Sequence, residues 1–177
     1  MERNAEVTLV TLVYRSLKWL DWVMKGVDSS KNQVRYRWLV VANDATDEVR
    51  NDPRISVDFH NDDPVEFYIN RVYRAWNEGV LNATTQHIVM LNNDMYASDY
   101  WLDQLVAVRR NNAKTVPTSL LVESGRLQSA MPEHVHDFGK APDEFKEFDF
   151  LKYAESVRRT GQTEPGRLYM PILVNRQ

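Results

Sequence analysis

Four short polar clusters carry the residue types from which a binding site is built, and each directly follows a stretch that reads as a strand. Tyr14 and Arg15 follow "VTLVTLV", and Asn43, Asp44, Thr46 and Asp47 follow "RWLVVA". Asn61, Asp62 and Asp63 follow "RISVDFH", and Asn92, Asn93 and Asp94 follow "HIVML". Together they offer an aromatic ring, a guanidinium, amide carbonyls and carboxylates. Oxygen donors of this kind suit a hard cation such as Mg²⁺ or Mn²⁺, which takes few ligands from protein and leaves the remainder to phosphate and water. Strand-to-helix loops are polar for a second reason, because Asn, Asp, Ser and Thr cap the helix that follows. Asp47, Asp63 and Asp99 stand where helices begin and are read as caps. Asp94 stands too far upstream of a helix starting at Ser98 or Asp99 to cap it, so its carboxylate is free for a ligand.

These clusters need strands and helices to hold them. Val7 to Val13 is a continuous Val, Leu and Thr run, the pattern of a strand buried on both faces of a parallel sheet. A helix follows, with Ser16 as N-cap and Leu17, Leu20, Met24 and Val27 on one stripe. Strands are expected over 37–42 and 54–60. Asp63, Pro64 and Glu66 then open a helix whose stripe is Val65, Ile69, Val72 and Trp76 and which ends between Gly79 and Ala83. "HIVM" is the fourth strand, with Leu91 its last core residue, and "YWLDQLVAVRR" the helix after it. Alternation of this kind predicts an α/β fold with right-handed crossovers. Ligands bind beyond the carboxyl ends of parallel strands, so the four clusters should share one rim. Further on, "TVPTSLLVES" and "GRLQSA" read as two strands joined at Ser124-Gly125 and "HVHDFGKAPDE" as a loop. A helix is expected from Asp143 to Arg159, stopped by Gly161, and "RLYMPILV" is a closing strand.

Composition removes other classes. A chain of 177 residues, 43% hydrophobic, with no repeat or linker, is expected to form one domain. A net charge of −3 gives no basic field for nucleic acid. Without cysteine there is no disulfide, thiolate nucleophile or Cys-based zinc site, which suits a reducing compartment. No apolar run approaches the roughly 18–20 residues of a membrane helix, and "MERNAEVTLV" lacks the basic start and apolar core of a secretion signal. The expectation is a cytoplasmic protein, at most peripheral to a membrane. Asp-Phe-Gly at 137–139 matches a kinase motif, but the Gly-rich and His-Arg-Asp loops are missing. His134 and His136 lack a third zinc ligand. "VYRSLKWL" lacks the glycines of a nucleotidyltransferase phosphate loop. Trp19, Trp22, Trp38 and Trp76 fall mostly on core stripes, whereas Tyr96 and Trp101 lie near Asp94.

In this order the features resemble the nucleotide-binding part of a family-two glycosyltransferase of GT-A fold. The first strand ending in Tyr14 is similar to the family's strand ending in Tyr-Asn. "VVANDATDEV" resembles its Asp-Asp-Gly-Ser-Thr-Asp turn, "RAWNEGVLNAT" its Ala-Arg-Asn-x-Gly-x-x-x-Ala segment, and "IVMLNNDMYASDYWLDQL" its Asp-x-Asp strand and following helix. The likeness covers about residues 5–130. It implies a Rossmann-like three-layer α/β/α fold with a mostly parallel sheet, residues 1–112 forming the nucleotide-binding units and 113–177 an incomplete sugar and acceptor side.

The same resemblance implies a metal-assisted transfer of sugar from a UDP-, GDP- or dTDP-type donor to an unidentified glycan, lipid or protein, with a homodimer open. It also implies a nucleotide site of Leu12, Tyr14, Asn43, Asp44, Arg74, Asn77, Gly79, Asn92 and Asn93. Tyr14 would pack on the base, Asn43 with Asp44 would contact the base edge or ribose, Arg74 a phosphate, and Asn77 with Gly79 would shape a lip near the pyrophosphate. Mn²⁺ or Mg²⁺ would sit on Asp94 with Asn92, and Tyr96, Trp101 and His136 on the sugar or acceptor side. Two positions depart from the family: Ala42 and Asn43 replace its first acidic pair, and Asn92 replaces the first Asp of Asp-x-Asp. The family's catalytic base follows a Gly-Gly-Phe-Asp segment downstream of a strand like "MPILVNR", beyond Gln177, so the base is unassigned; Asp137, Glu144 and Glu147 are the candidates within the chain. A nucleotide-sugar-binding remnant without turnover is the alternative.

Overall fold

The computed structural model describes residues 5–61, 63, 65–125, 130–158, 162–166 and 170–176. Its strands are β1 (Val7–Val13), β2 (Tyr36–Asn43), β3 (Ile55–Phe59), β4 (His87–Met90) and β5 (Ile172–Asn175). They form one sheet in the order β3-β2-β1-β4-β5. The first four are parallel, and β5 runs antiparallel to β4. The helices are α1 (Leu17–Ser29), a single turn α2 (Asp47–Arg50), α3 (Tyr68–Asn82), α4 (Trp101–Asn111) and α5 (Glu147–Val157). This is an α/β fold on a central, mostly parallel sheet.

Period-two alternation in β1 decides what covers each face. Val7, Leu9 and Val13 point into a core shared with Leu20, Val23 and Val27 of α1 and Leu102, Leu105 and Val106 of α4. Val10 points the other way, joining Leu39 and Val41 of β2, Ile88 of β4, and Ala75 and Trp76 of α3. Helices therefore cover both faces, as a parallel sheet requires. Contact between α3 and the sheet is close enough that a Cβ on Gly79 would overlap Val10 Cγ1 and stand 3.1 Å from Val41 Cγ2.

Strand order places the crevice. From β1 the chain moves outward through β2 to β3, then crosses back to lay β4 on the opposite side of β1. At such a reversal the flanking helices diverge and leave an opening at the carboxyl ends of the strands.

Helix starts differ from the sequence expectation for identifiable reasons. Asp63 does not open α3; its Oδ1 accepts the Val65 N–H at 3.0 Å, and the helix begins at Tyr68. Glu66 does not close a capping box, because its carboxylate takes the Asn61 amide and the Arg74 guanidinium. The helix α4 is capped from a distance, with the Leu102 N–H donating to Asn32 Oδ1 at 3.0 Å. Asp99 instead accepts the Lys31 backbone N–H and its ammonium, at 3.3 and 2.8 Å. In place of the strand expected over 115–124 there are isolated bridges, Thr118 to Ile172 and Glu123 to Val135; the second strand, expected over 125–130, falls on positions 126–129, which lie outside the described residues. The helix expected over Asp143 to Arg159 is α5, four residues shorter at its start, and its expected stop, Gly161, also lies outside them.

Candidate functional site at the carboxyl ends of β1, β2 and β4

An open cleft of ≈ 210 Å³ lies at the reversal, lined by Leu12, Val13, Tyr14, Asn43, Val72, Trp76, Asn92 and Asn93. Three strand ends and one helix build it. The end of β1 contributes Leu12 and Val13, with Tyr14 just past the strand; Asn43 is the last residue of β2; Asn92 and Asn93 follow β4; and Val72 and Trp76 come from α3.

Asn43 is only 9% exposed, and its Oδ1 has no hydrogen-bond partner among the described residues. A buried acceptor left unpaired costs about 1–3 kcal/mol, so an N–H donor from a ligand would find a prepared site there. Tyr14 is 46% exposed, and the Arg15 guanidinium lies 4.4 Å from its ring centroid. Stacking of this sort fixes an aromatic ring while adding positive charge to the rim.

Asp94 follows Asn92 and Asn93 but is not among the residues lining the cleft. Its carboxylate has no ion pair or side-chain hydrogen bond with the described residues. Solvent reaches the side chain, yet the protein around it is dense enough that desolvation raises the carboxyl above its ordinary range. An unpaired, partly desolvated carboxylate beside an amide carbonyl fits a hard cation that arrives with its own phosphate ligands. No cluster of three His, Asp or Glu side chains with metal-site geometry occurs among the described residues. Asp94 with Asn92 would hold Mg²⁺ or Mn²⁺ only in company with phosphate; such an ion would supply charge neutralisation at a diphosphate.

The remaining expected site residues are placed elsewhere. Asp44, in the left-handed region at φ 47°, turns its carboxylate to the Asn61 N–H at 2.9 Å and to Arg71 at 2.8 Å. Arg74 is paired with Glu66 at 3.0 Å. Asn77 is exposed on α3, and Gly79 is buried beneath it against the sheet. Trp101 is 7% exposed and belongs to the core, so its indole has no face to offer a sugar. Tyr96 packs among Trp22, Phe145 and Phe150. His136 is exposed, 4.1 Å from the Tyr153 ring, and His134 is buried with Nδ1 2.8 Å from the Tyr153 hydroxyl. That hydroxyl donates to the Glu133 carbonyl, so it accepts the His134 proton.

The base candidates stand apart from the cleft. Asp137 accepts the Gly139 N–H at 3.0 Å, and Glu144 is exposed with its carbonyl against Gly139. The Glu147 carboxylate is held by Lys25 and by the Tyr96 hydroxyl. Sequence reading assigned Val72 and Trp76 to the core stripe alone. What marks them as lining is topology: the helix between β3 and β4 crosses the reversal, so its sheet-facing residues border the crevice.

No family model and no curated protein matches the chain. Among solved structures it is similar to TarS of S. aureus, with 14% identity and a TM-score of 0.47 over 67% of this chain and 22% of that one. A TarS 1–349 structure gives 13% identity and a TM-score of 0.45, covering 78% and 53%. The same TarS fragment in complex with UDP-GlcNAc gives 12% and 0.40, covering 65% and 38%. The chain thus spans between about a fifth and about half of these chains' lengths. Likeness at this level assigns no residue a role. No helix among the described residues is long and apolar enough to cross a membrane.

Proposed function

We propose that the cleft binds a nucleoside-diphosphate sugar of UDP, GDP or dTDP type and forms the donor site of a cytoplasmic glycosyltransferase acting on an unidentified glycan, lipid or protein. The observation that carries this reading is the unpartnered Oδ1 of Asn43, buried at the end of β2 and lining the crevice between diverging helices. The amide oxygen accepts the imide-type N–H of uracil, thymine or guanine, while its NH₂ donates to the neighbouring carbonyl. Tyr14 stacks on the base. Asn92 and Asn93 face the diphosphate, and Asp94 with Asn92 holds the divalent cation.

One observation favours a second reading, binding without turnover. Among the described residues no Asp, Glu or His lines the cleft, and transfer with inversion needs a base within hydrogen-bond reach of the acceptor hydroxyl. Thermal melts with UDP, GDP, dTDP and UDP-GlcNAc, each with and without MnCl₂, test the common core of both readings. A nucleotide that binds the folded state raises the melting temperature by mass action. No shift with any of the four refutes both readings. A shift accompanied by slow hydrolysis of a nucleotide sugar supports the transferase, and a shift without hydrolysis or transfer supports the binding module.

A further inference from the structure

The loop that follows β4 is held at Leu91 and again from Met95 to Ala97, where Met95 and Ala97 pack on the core, and it carries three polar side chains between these points. At its start Leu91 is buried, and its N–H donates to the Val10 carbonyl at 2.9 Å. At its end the Tyr96 hydroxyl donates to Glu147 Oε1 of α5 at 2.6 Å. The Tyr96 ring centroid lies 5.3 Å from that of Trp22 on α1 and 4.7 Å from that of Phe145. Helix α1 passes so near that a Cβ on Gly26 would stand 3.0 Å from the Tyr96 ring and from the Ala97 nitrogen. The second oxygen of Glu147 is taken by the Lys25 ammonium of α1.

Between these anchors lie Asn92, Asn93 and Asp94. The three polar side chains have no side-chain partner among the described residues, and the Asp94 carboxyl accepts only its own backbone N–H. Their placement depends on where the ends are held. A short span with both ends fixed has few conformations; releasing one end restores freedom that a ligand must then remove.

We infer that Glu147, through its hydrogen bond to Tyr96, is a positioning residue that holds Asn92, Asn93 and Asp94 for the diphosphate and its cation. The inference rests on the donor-site reading above. It gives Glu147 a role other than that of a general base, since both carboxylate oxygens are engaged and neither faces the cleft lining. Lys25 and then Tyr96 hold the Glu147 carboxyl below its ordinary range, which keeps it an acceptor at neutral pH. It also couples the segment from Phe145 to Phe150, docked on α1 and Tyr96, to the phosphate side of the cleft, while the base side at Asn43 and Tyr14 is anchored separately on β2 and β1.

The two sides can be read independently. The full chain is titrated with UDP, GDP and dTDP in MnCl₂, and with uridine, guanosine and thymidine alone, by ligand-observed NMR. Failure of the wild type to bind any diphosphate overturns the donor-site reading and the positioning role with it. Where the wild type binds, Glu147→Ala and Tyr96→Phe are expected to weaken the diphosphate with Mn²⁺ at least fivefold and to leave the matching nucleoside within twofold. Tyr96→Phe keeps the ring packing, so it separates the hydrogen bond from the fold. Glu147→Gln retains an acceptor for Tyr96 and is expected to lose less than Glu147→Ala. Equal weakening of nucleoside and diphosphate, or no weakening of either, overturns the positioning role and leaves the donor site standing.

Discussion

The Asp44 carboxylate stands 2.8 Å from the Arg71 guanidinium and accepts the Asn61 N–H at 2.9 Å, tying the turn after β2 to α3 and to the chain leaving β3. Both side chains of the ion pair are under a third exposed, so solvent screens the pair only in part. Asp44→Ala removes both contacts and places alanine at a positive φ, with an expected loss of about 1–3 kcal/mol. Asp44→Asn tolerates that backbone and keeps an acceptor, so it loses less. Thermal melts check the order. Nucleotide affinity of Asp44→Asn within twofold of wild type assigns Asp44 to the fold, whereas lost affinity at full stability would assign it to the ligand.

Gly79 is required for a different reason. It lies in α3 where alanine would be favoured by up to about 1 kcal/mol, yet an added Cβ meets Val10 and Val41, branched side chains in the middle of the sheet. Overpacking of this kind costs about 1–3 kcal/mol, so Gly79→Ala should be destabilising on balance. For a chain of this length each kcal/mol moves the melting temperature by about 2–4 °C. A melting point above that of wild type would mean that α3 slides without penalty.

Asn43 should show the opposite pattern. Its Oδ1 has no partner among the described residues, and it sits at a cleft open to water, so truncation leaves solvent rather than a dry void. Asn43→Ala is expected to melt no lower than wild type without nucleotide, while its nucleotide-induced shift shrinks by an amount corresponding to roughly tenfold weaker binding, about 1.4 kcal/mol. A melting temperature several degrees below wild type in the absence of nucleotide would make Asn43 a structural residue.

The strands could be read from the sequence because β1, β2 and β4 are short apolar runs and β3 alternates apolar with polar residues, and Val7 to Val13 is delimited to the residue. Cleft residues at the strand ends, Tyr14, Asn43, Asn92 and Asn93, are legible because a strand's end fixes which polar residue reaches the rim, whereas Leu12 enters through the family resemblance alone. Contacts between distant segments were not legible. Asn32 capping α4, Asp103 accepting the Gln33 and Val34 N–H groups, and Glu147 meeting Lys25 and Tyr96 each join residues far apart in the chain. Local pattern carries no trace of such partners. Trp101 was placed near the sugar because it is close to Asp94 in sequence, yet helical geometry turns its indole into the core.

Asp94 gives a prediction whose sign follows from its environment. Desolvation raises its carboxyl above the ordinary value of 3.8, so between that value and the raised one the folded state binds the proton more tightly than the unfolded chain does. Ionisation of Asp94 therefore costs stability as pH rises through this window, the reverse of a carboxylate held by a cation. Asp94→Asn has no such ionisation. It is expected to melt above wild type at pH 7 and to converge with it as pH falls below about 4, with a modest difference because solvent reaches the side chain. A divalent cation with a nucleoside diphosphate should offset the cost by pairing with the carboxylate, so the wild type gains more from UDP with Mn²⁺ than Asp94→Asn does. Melts from pH 3.5 to 8, with and without UDP and MnCl₂, check both parts. If the wild type melts higher than the variant at pH 7 without ligand, the carboxylate has a cationic partner in the folded protein and is not waiting for a metal.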